Sequence, residues 1–375
     1  MTNNYLKKFP PFLPYLFLLI YPLILFSNVI FFRTHSFFVG QDSTGYFYPS
    51  FQKLAQSLHS GYLPLWDANK FSGTSFVGEI QSGVFYPPSL LILGIFGTVT
   101  GIDLIYLELL TLIHFFIASL GMYLLCREWQ LSKLASLGSG LVFAYAGPVV
   151  YVAAGQSCIF FGLSLMPLAI YFLVKFTNSR RYRYLSCTGL ILGLQILAGH
   201  FQPFFHTSIV AGLYLLVLAL KEPNSYLIRL KDVVLRFTLT FGTAIIIALP
   251  QLLLGLQALN NSYRWITGDA PVGPDEQYPY GIFVRYFNIE PYLFILNPID
   301  VTKYPASGNM FIGLIPLCLL LFFFSKRQFR QESSSYQQHK AIFLILTIFT
   351  LLVTLGYYTF FPFLFYQLPM VDKVR

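Results

Sequence analysis

A carboxylate, Asp42, holds the position in this chain that most invites a chemical role. It stands in the stretch FVGQDSTGYFYPSF, residues 38–51, just past an apolar run long enough to cross a membrane and just before a helical pattern. An acid at such a boundary can take a proton from an attacking hydroxyl. It can equally cap or turn the chain, because DSTG is good capping chemistry. Spacing alone leaves both readings open.

Other residues with chemistry gather downstream. LPLWDANKFSGTSFVGEIQSGVFYPP, residues 63–88, carries Asp67, Lys70, Glu79 and Gln81, flanked by Trp66, Phe85 and Tyr86. Rings beside carboxylates and amides suit a carbohydrate, whose C–H face stacks while its hydroxyls are hydrogen-bonded. The plain alternative for the three rings is an interfacial aromatic belt. Asp67 and Glu79 lean toward function, because the loop holds several carboxylates and few bases to pair with them. The turn AGHFQPF, residues 198–204, places His200 and Gln202 at a membrane boundary; a hydrogen-bonded structural histidine is the plain alternative. Farther on, Arg264 and Arg285 lie in a polar, aromatic segment. Guanidinium grips phosphate oxygens through paired N–H donors. Ion pairs with Asp269, Asp275, Glu276 or Glu290 are the alternative.

No P-loop glycine pattern, HExxH or GxSxG occurs. A divalent cation held by Asp42 with Asp67 or Glu79 is compatible with the residue types, but the spacing does not demand it. The four cysteines, Cys126, Cys158, Cys187 and Cys318, form no CxxC pair and read as small packing residues.

The elements that position these groups are written in the composition. The 375 residues are 56% hydrophobic and only 10% charged, with 40 Phe and 26 Tyr. Soluble domains carry about 25% charged residues, so this is an all-α polytopic membrane protein. Nine spans are expected: Pro11–Phe32, Asp103–Cys126, Lys133–Ala154, Ser157–Phe176, Leu185–Phe201, Pro203–Leu220, Val233–Leu256, Asn309–Ser325 and Lys340–Tyr358. Pro22, Pro148, Pro167 and Pro316 should kink or break theirs. The first run has no small-residue cleavage site and reads as an uncleaved helix.

Charge sets the orientation. With the N-terminus in the cytoplasm, 16 of the 24 Lys and Arg residues fall in inner segments, including the RRYR cluster at 180–183. The basic residues come in short clusters between apolar runs, so the net charge of +9 is a topology signal and nucleic acid is not an expected partner. Two long outer loops follow, at about 33–102 and 257–308, within one transmembrane domain covering 1–375. In the first, Phe47, Phe51, Leu54, Ala55, Leu58 and Tyr62 make one helical stripe over Tyr46–Leu63, expected to lie flat on the outer leaflet with its greasy face down. Gly61 suits the end of that helix. The apolar stretch YPPSLLILGIFGTV, residues 86–99, is too short and too broken to span.

Taken together, GQDSTGYFYPSFQKL, LPLWDANKFSGTSF, EIQSGVFYPPSLL, AGHFQPF and ALPQLLLGLQALNNSYR resemble the bacterial YfhO-like membrane proteins, which belong with the GT-C glycosyltransferases. The resemblance runs from the first helix to about Arg285. It implies a GT-C-like bundle in the bacterial cytoplasmic membrane, a polyprenyl-phosphate sugar as donor, a cell-envelope acceptor and an active face outside. It also implies an early acid in the first outer loop as base or metal ligand, a place Asp42 occupies. A late-loop arginine meeting the donor phosphate would be Arg264 or Arg285. Such relatives are usually longer, so the ending LPMVDKVR suggests a chain incomplete at its C-terminus. The rival expectation is a non-enzymatic transporter, flippase or scaffold for surface-polymer assembly. Transport favours ionisable groups at mid-membrane; the main ones inside the spans are Glu108, near the outer end of its span, and His114, and that scarcity disfavours coupled transport.

Overall fold

In a computed structural model, the protein is described over residues 10–38, 42–70, 72–220 and 225–261, with 264–267, 270–272, 279–281, 284, 348, 352 and 358–367. It is mostly helical. Helix α1 is Leu13–Leu25, α2 Ser27–Ile30, α3 Tyr48–His59, α4 Pro87–Phe96, α5 Leu104–Glu128, α6 Lys133–Tyr145, α7 Gly147–Gly155 and α8 Ser157–Ser179. Then come α9 Arg183–Leu197, α10 Phe201–Leu220, α11 Tyr226–Phe237, α12 Thr243–Leu259 and the short α13 Phe361–Tyr366. Strands β1 (Trp66–Asp67) and β2 (Thr74–Ser75) make one small antiparallel hairpin, and β3 (Arg264–Thr267) with β4 (Ala270–Val272) another.

Among the described residues, four helical stretches are long and apolar enough to cross a membrane: Leu104–Glu128, Ser157–Ser179, Phe201–Leu220 and the joined Tyr226–Leu259. A fifth is the pair α6–α7, bent by 45° where Pro148 opens the second helix, as a proline there should do. Other expected spans come out differently. Pro11–Phe32 breaks at Phe26 into α1 and α2, while Pro22 stays inside α1 and Pro167 inside α8. Helix α9 has 15 residues, about 22 Å, short of a hydrocarbon core of about 30 Å. Asn309–Ser325 lies outside the described residues, as does nearly all of Lys340–Tyr358.

Helix α5 packs on α6 and α8, α8 on α9, and α9 on α12. Most residues of α8 are buried and few of the α11–α12 stretch are, so among the described residues α8 is central and α11–α12 peripheral. Glycines let the backbones close: a methyl on Gly193 of α9 would meet the Ile247 side chain of α12 at 2.7 Å. Gln195, fully buried, ties three helices, its amide donating to the Gly162 carbonyl of α8 at 2.9 Å and to Thr207 of α10 at 3.0 Å.

Short connections make the helices alternate in direction. One end of the bundle therefore carries the segment 33–103 and the turns before α8 and α10. The other carries Arg127, Lys133, Arg180, Arg181 and Arg183. Each end has its own apolar core: Phe51, Tyr86, Phe115 and Phe161 at the loop-covered end, Phe176, Leu185, Tyr214 and Leu215 at the basic end.

The expected loop helix exists. A wide π turn at Ser43–Phe47 runs into α3, and the chain leaves it through Gly61 at φ 84°. Its stripe, however, does not rest on an open surface. Phe47, Phe51, Leu54 and Ala55 are buried, and α3 packs on α4 and α5. Periodicity gives a greasy face but not its partner. Here the partner is protein, because residues 76–96 fold back beside the helix. Helix α4, ten residues long, does not span.

Candidate functional site

Asp42 opens the π turn with helical backbone angles, and its carboxylate makes no capping hydrogen bond. Asp42 therefore does not cap this turn. π turns recur at functional sites. Asp42 is exposed and has no hydrogen bond or ion pair among the described residues. The turn behind it is pinned: Ser43, fully buried, shares a hydrogen bond of 2.9 Å with Ser157, the first residue of α8. Asp42 is thus held at the head of the central helix, where the helix dipole favours negative charge.

Glu79 arrives at the same place from the far side of the loop. It precedes a 3-10 turn, Ile80–Ser82. Both Asp42 and Glu79 lie within electrostatic reach of Cys158, the second residue of α8. Gly199 closes the cluster at φ 106°, and a methyl built on it would sit 3.1 Å from the Cys158 Cβ, 3.2 Å from the Ile80 carbonyl and 3.5 Å from the Gln81 Cα. The left-handed backbone and the absent side chain together let the α9–α10 turn touch both the loop and α8. His200 follows at once, its Nδ1 accepting from the Gln202 N–H at 3.1 Å at the start of α10. Asp42, Glu79, Gln81, His200 and Gln202, widely spread in sequence, share one end of the bundle around the start of α8.

Asp67 has a different role. The reading that the loop lacks bases for its acids overlooked α3: Lys53 donates to Asp67 Oδ1 at 2.6 Å and the Asn69 N–H to the same oxygen at 3.1 Å. Burial pushes the Asp67 carboxyl up, but Lys53, Asn69 and then Lys70 outweigh it and hold the group below the ordinary carboxylate value. Asp67 is therefore a buried ion-pair partner that anchors the hairpin to α3.

Two residues not foreseen as ligands stand between the acids. Lys70 donates to Ser50 at 2.9 Å and lies 3.8 Å from the centre of the Tyr46 ring. Half-buried, its ammonium is pushed down by desolvation, with Asp67 and Glu79 opposing. The Tyr46 hydroxyl is buried beside the Glu79 carboxylate. Burial first, and Glu79 second, push it well above the ordinary tyrosine value. Lys70 was visible between Asp67 and Glu79 in the sequence. Nothing local marked Tyr46, which reads as one of many aromatics.

No family model matches the chain, and no curated protein matches it.

The remaining expected ligands divide. Arg264 begins β3, a few residues past the end of α12, whose Ala258 and Leu254 lie against Gly78 of the loop. Arg285 lies outside the described residues. Among the described residues no group of three or more His, Cys, Asp or Glu could hold a metal ion, and Asp67 is taken by Lys53. The aromatic trio separates as well: Trp66 is exposed, while Tyr86 is buried and bonded through its hydroxyl to His114 Nε2 at 2.7 Å. His114 Nδ1 faces the Leu110 carbonyl at 2.7 Å, so Nδ1 donates and Nε2 accepts from Tyr86. Both ring nitrogens are committed to packing.

Proposed function

We propose that this chain is a YfhO-like glycosyltransferase of the GT-C kind, moving a sugar from a polyprenyl-phosphate carrier to a hydroxyl of a cell-envelope acceptor. In this reading it crosses the bacterial cytoplasmic membrane about nine times, with the N-terminus and the basic end in the cytoplasm and the loop-covered end outside. Asp42 takes the proton of the acceptor hydroxyl. That oxygen bonds to the anomeric carbon as the bond from the same carbon to the phosphate oxygen breaks, with inversion, and the lipid phosphate leaves with the bonding pair. Lys70 is the cation among the described residues best placed for that phosphate, with Arg264 and Arg285 on the later segment as further donors. A preorganised cation of this kind is worth on the order of 3 kcal/mol of barrier.

The observation that carries the reading is the convergence of Asp42 and Glu79 on the start of α8, with Asp42 making no cap and no ion pair. The backbone that carries this exposed acid is fixed by the buried Ser43–Ser157 bond, which holds Asp42 at the start of α8. The test is sugar transfer from a labelled polyprenyl-phosphate donor by the full chain in proteoliposomes. Asp42→Asn should abolish turnover while leaving the protein folded; turnover equal to wild type would remove Asp42 from the mechanism.

A further inference from the structure

A second site lies where α1–α2 ends and α5 begins. An open cavity of about 270 Å³ is lined there by the apolar Val29, Leu104 and Ile105, by the exposed Arg33 and His35, and by Glu108. Glu108 is only 5% exposed, yet it forms no ion pair among the described residues. Both of its hydrogen bonds, from Ser36 Oγ at 2.6 Å and from the Phe37 N–H at 2.8 Å, end on the same oxygen, Oε1. A buried carboxylate without a cation at the edge of a membrane span is expensive to keep. The cations nearest in sequence do not relieve it. Arg33 is exposed, without a hydrogen bond or ion pair among the described residues. His35 turns its Nδ1 to Thr34 Oγ1 at 2.9 Å. Arg33 is held in the left-handed region at φ 51°, a strained position for a side-chain-bearing residue, by the Thr34 N–H bonded back to the Asn28 carbonyl at 3.0 Å.

The cavity thus joins a buried acid, an exposed arginine and apolar side chains. Its complement is a zwitterion with an ammonium leading, a phosphate behind and acyl chains attached. We propose that this cavity binds the headgroup of an aminophospholipid of the phosphoethanolamine type. The ammonium donates to Glu108 and the phosphate accepts from Arg33 and His35. The chains run down past Val29 and Ile105, beside the exposed Phe31 and Phe32. A choline headgroup has no N–H to donate, and a glycerol headgroup brings no cation for Glu108. This site is separate from the Asp42 cluster and stands or falls without it.

The test is native mass spectrometry of the full chain in detergent, titrated with phosphatidylethanolamine, phosphatidylcholine and phosphatidylglycerol of identical chains. Phosphatidylethanolamine should be retained about tenfold better than either, the worth of one charge-assisted contact. Glu108→Gln keeps an acceptor for Ser36 and Phe37 and should erase the preference. Arg33→Glu, at an exposed position, should instead weaken retention of all three lipids, because each carries the phosphate, and it carries the test should Glu108→Gln not fold. Free phosphoethanolamine should not displace the lipid at equal concentration. Equal retention of the three lipids, a preference that survives Glu108→Gln, retention unmoved by Arg33→Glu, or displacement by the free headgroup would overturn the assignment.

Discussion

At the basic end of the bundle, charged and polar groups find partners close by in sequence or on the neighbouring helix. Lys175 bonds to the Tyr171 hydroxyl one turn back, Arg236 pairs with Asp232 one turn back, Asn178 donates to Glu128 at 2.9 Å, and Tyr182 donates to Asp232 at 2.8 Å. At the loop-covered end the partners are remote: Ser43 with Ser157, Ser36 with Glu108, Gly199 against Gln81, Glu79 beside Cys158. The pairs within one helix form whenever that helix forms, and most of the first set is screened by solvent, although Arg236 is itself buried. The second exists only once the whole bundle has closed, and it carries buried charge. A site that must hold an acid ready without neutralising it needs the second kind of assembly.

The sharpest way to break this comparison is to remove one charge at each end and read turnover. Asp42→Asn should lower sugar transfer by on the order of a hundredfold or more, the range for a general base. Glu79→Gln should follow with about tenfold, through the electrostatics it shares with Asp42 at the start of α8. Arg181→Gln, at an exposed position of the basic end, should stay within about twofold. Equal losses at both ends would mean that charge removal harms the protein generally and that the loop-covered end is not special.

The next effect is on stability. Asp67→Asn leaves the Lys53 ammonium without its partner and should cost about 3 kcal/mol, read as a lowered melting temperature in detergent. The effect also has a pH signature. The folded carboxyl sits below the ordinary value of about 3.9, so the folded state binds its proton more weakly than the unfolded chain. The stabilisation is complete above about pH 4 and is lost as pH falls through the lower folded value. Wild type should therefore lose stability at the acid end more steeply than Asp67→Asn. Parallel pH profiles would place the Lys53–Asp67 pair among the screened contacts of the other end.

These contrasts also mark what a sequence can and cannot say. Helices α5, α8 and α10 are legible because each is an apolar run of at least 20 residues, and length alone separates them from strands. Pro148 announces the bend between α6 and α7, and Gly61 the end of the loop helix, because each residue limits or frees the backbone in its own way. The break at Phe26 is illegible: no glycine or proline stands there, and tertiary packing overrides a continuous apolar run. At the site, Asp42, Glu79 and Gln81 announce themselves by polar type within a greasy chain. The Lys53 that occupies Asp67 does not, because it belongs to a different element. Tyr46 and Cys158 join the cluster by topology alone, which no local pattern encodes.

Glycine substitutions separate the two ends with smaller effects. Gly199→Ala forces a side chain into a left-handed position against Cys158 and the Ile80 carbonyl, and should cost about 1–3 kcal/mol. Turnover should fall alongside, because the same junction sets the loop against α8. Gly138, exposed in α6 toward the basic end, has no atom within 4 Å of a built methyl and ordinary backbone angles. Gly138→Ala should leave turnover unchanged and raise stability by up to about 1 kcal/mol, from helix propensity alone.

The smallest effect is the most exacting check on the basic end. The Tyr182 hydroxyl donates to Asp232, which also accepts from Arg236. Tyr182 is 41% exposed, so water can replace its hydroxyl when it is removed, and Asp232 keeps its ion pair with Arg236. Tyr182→Phe should therefore change stability by less than about 0.5 kcal/mol. A thermal melt showing a loss several times larger would mean that Tyr182, Asp232 and Arg236 act as one preorganised network. The basic end would then share the cooperative, long-range character assigned to the loop-covered end.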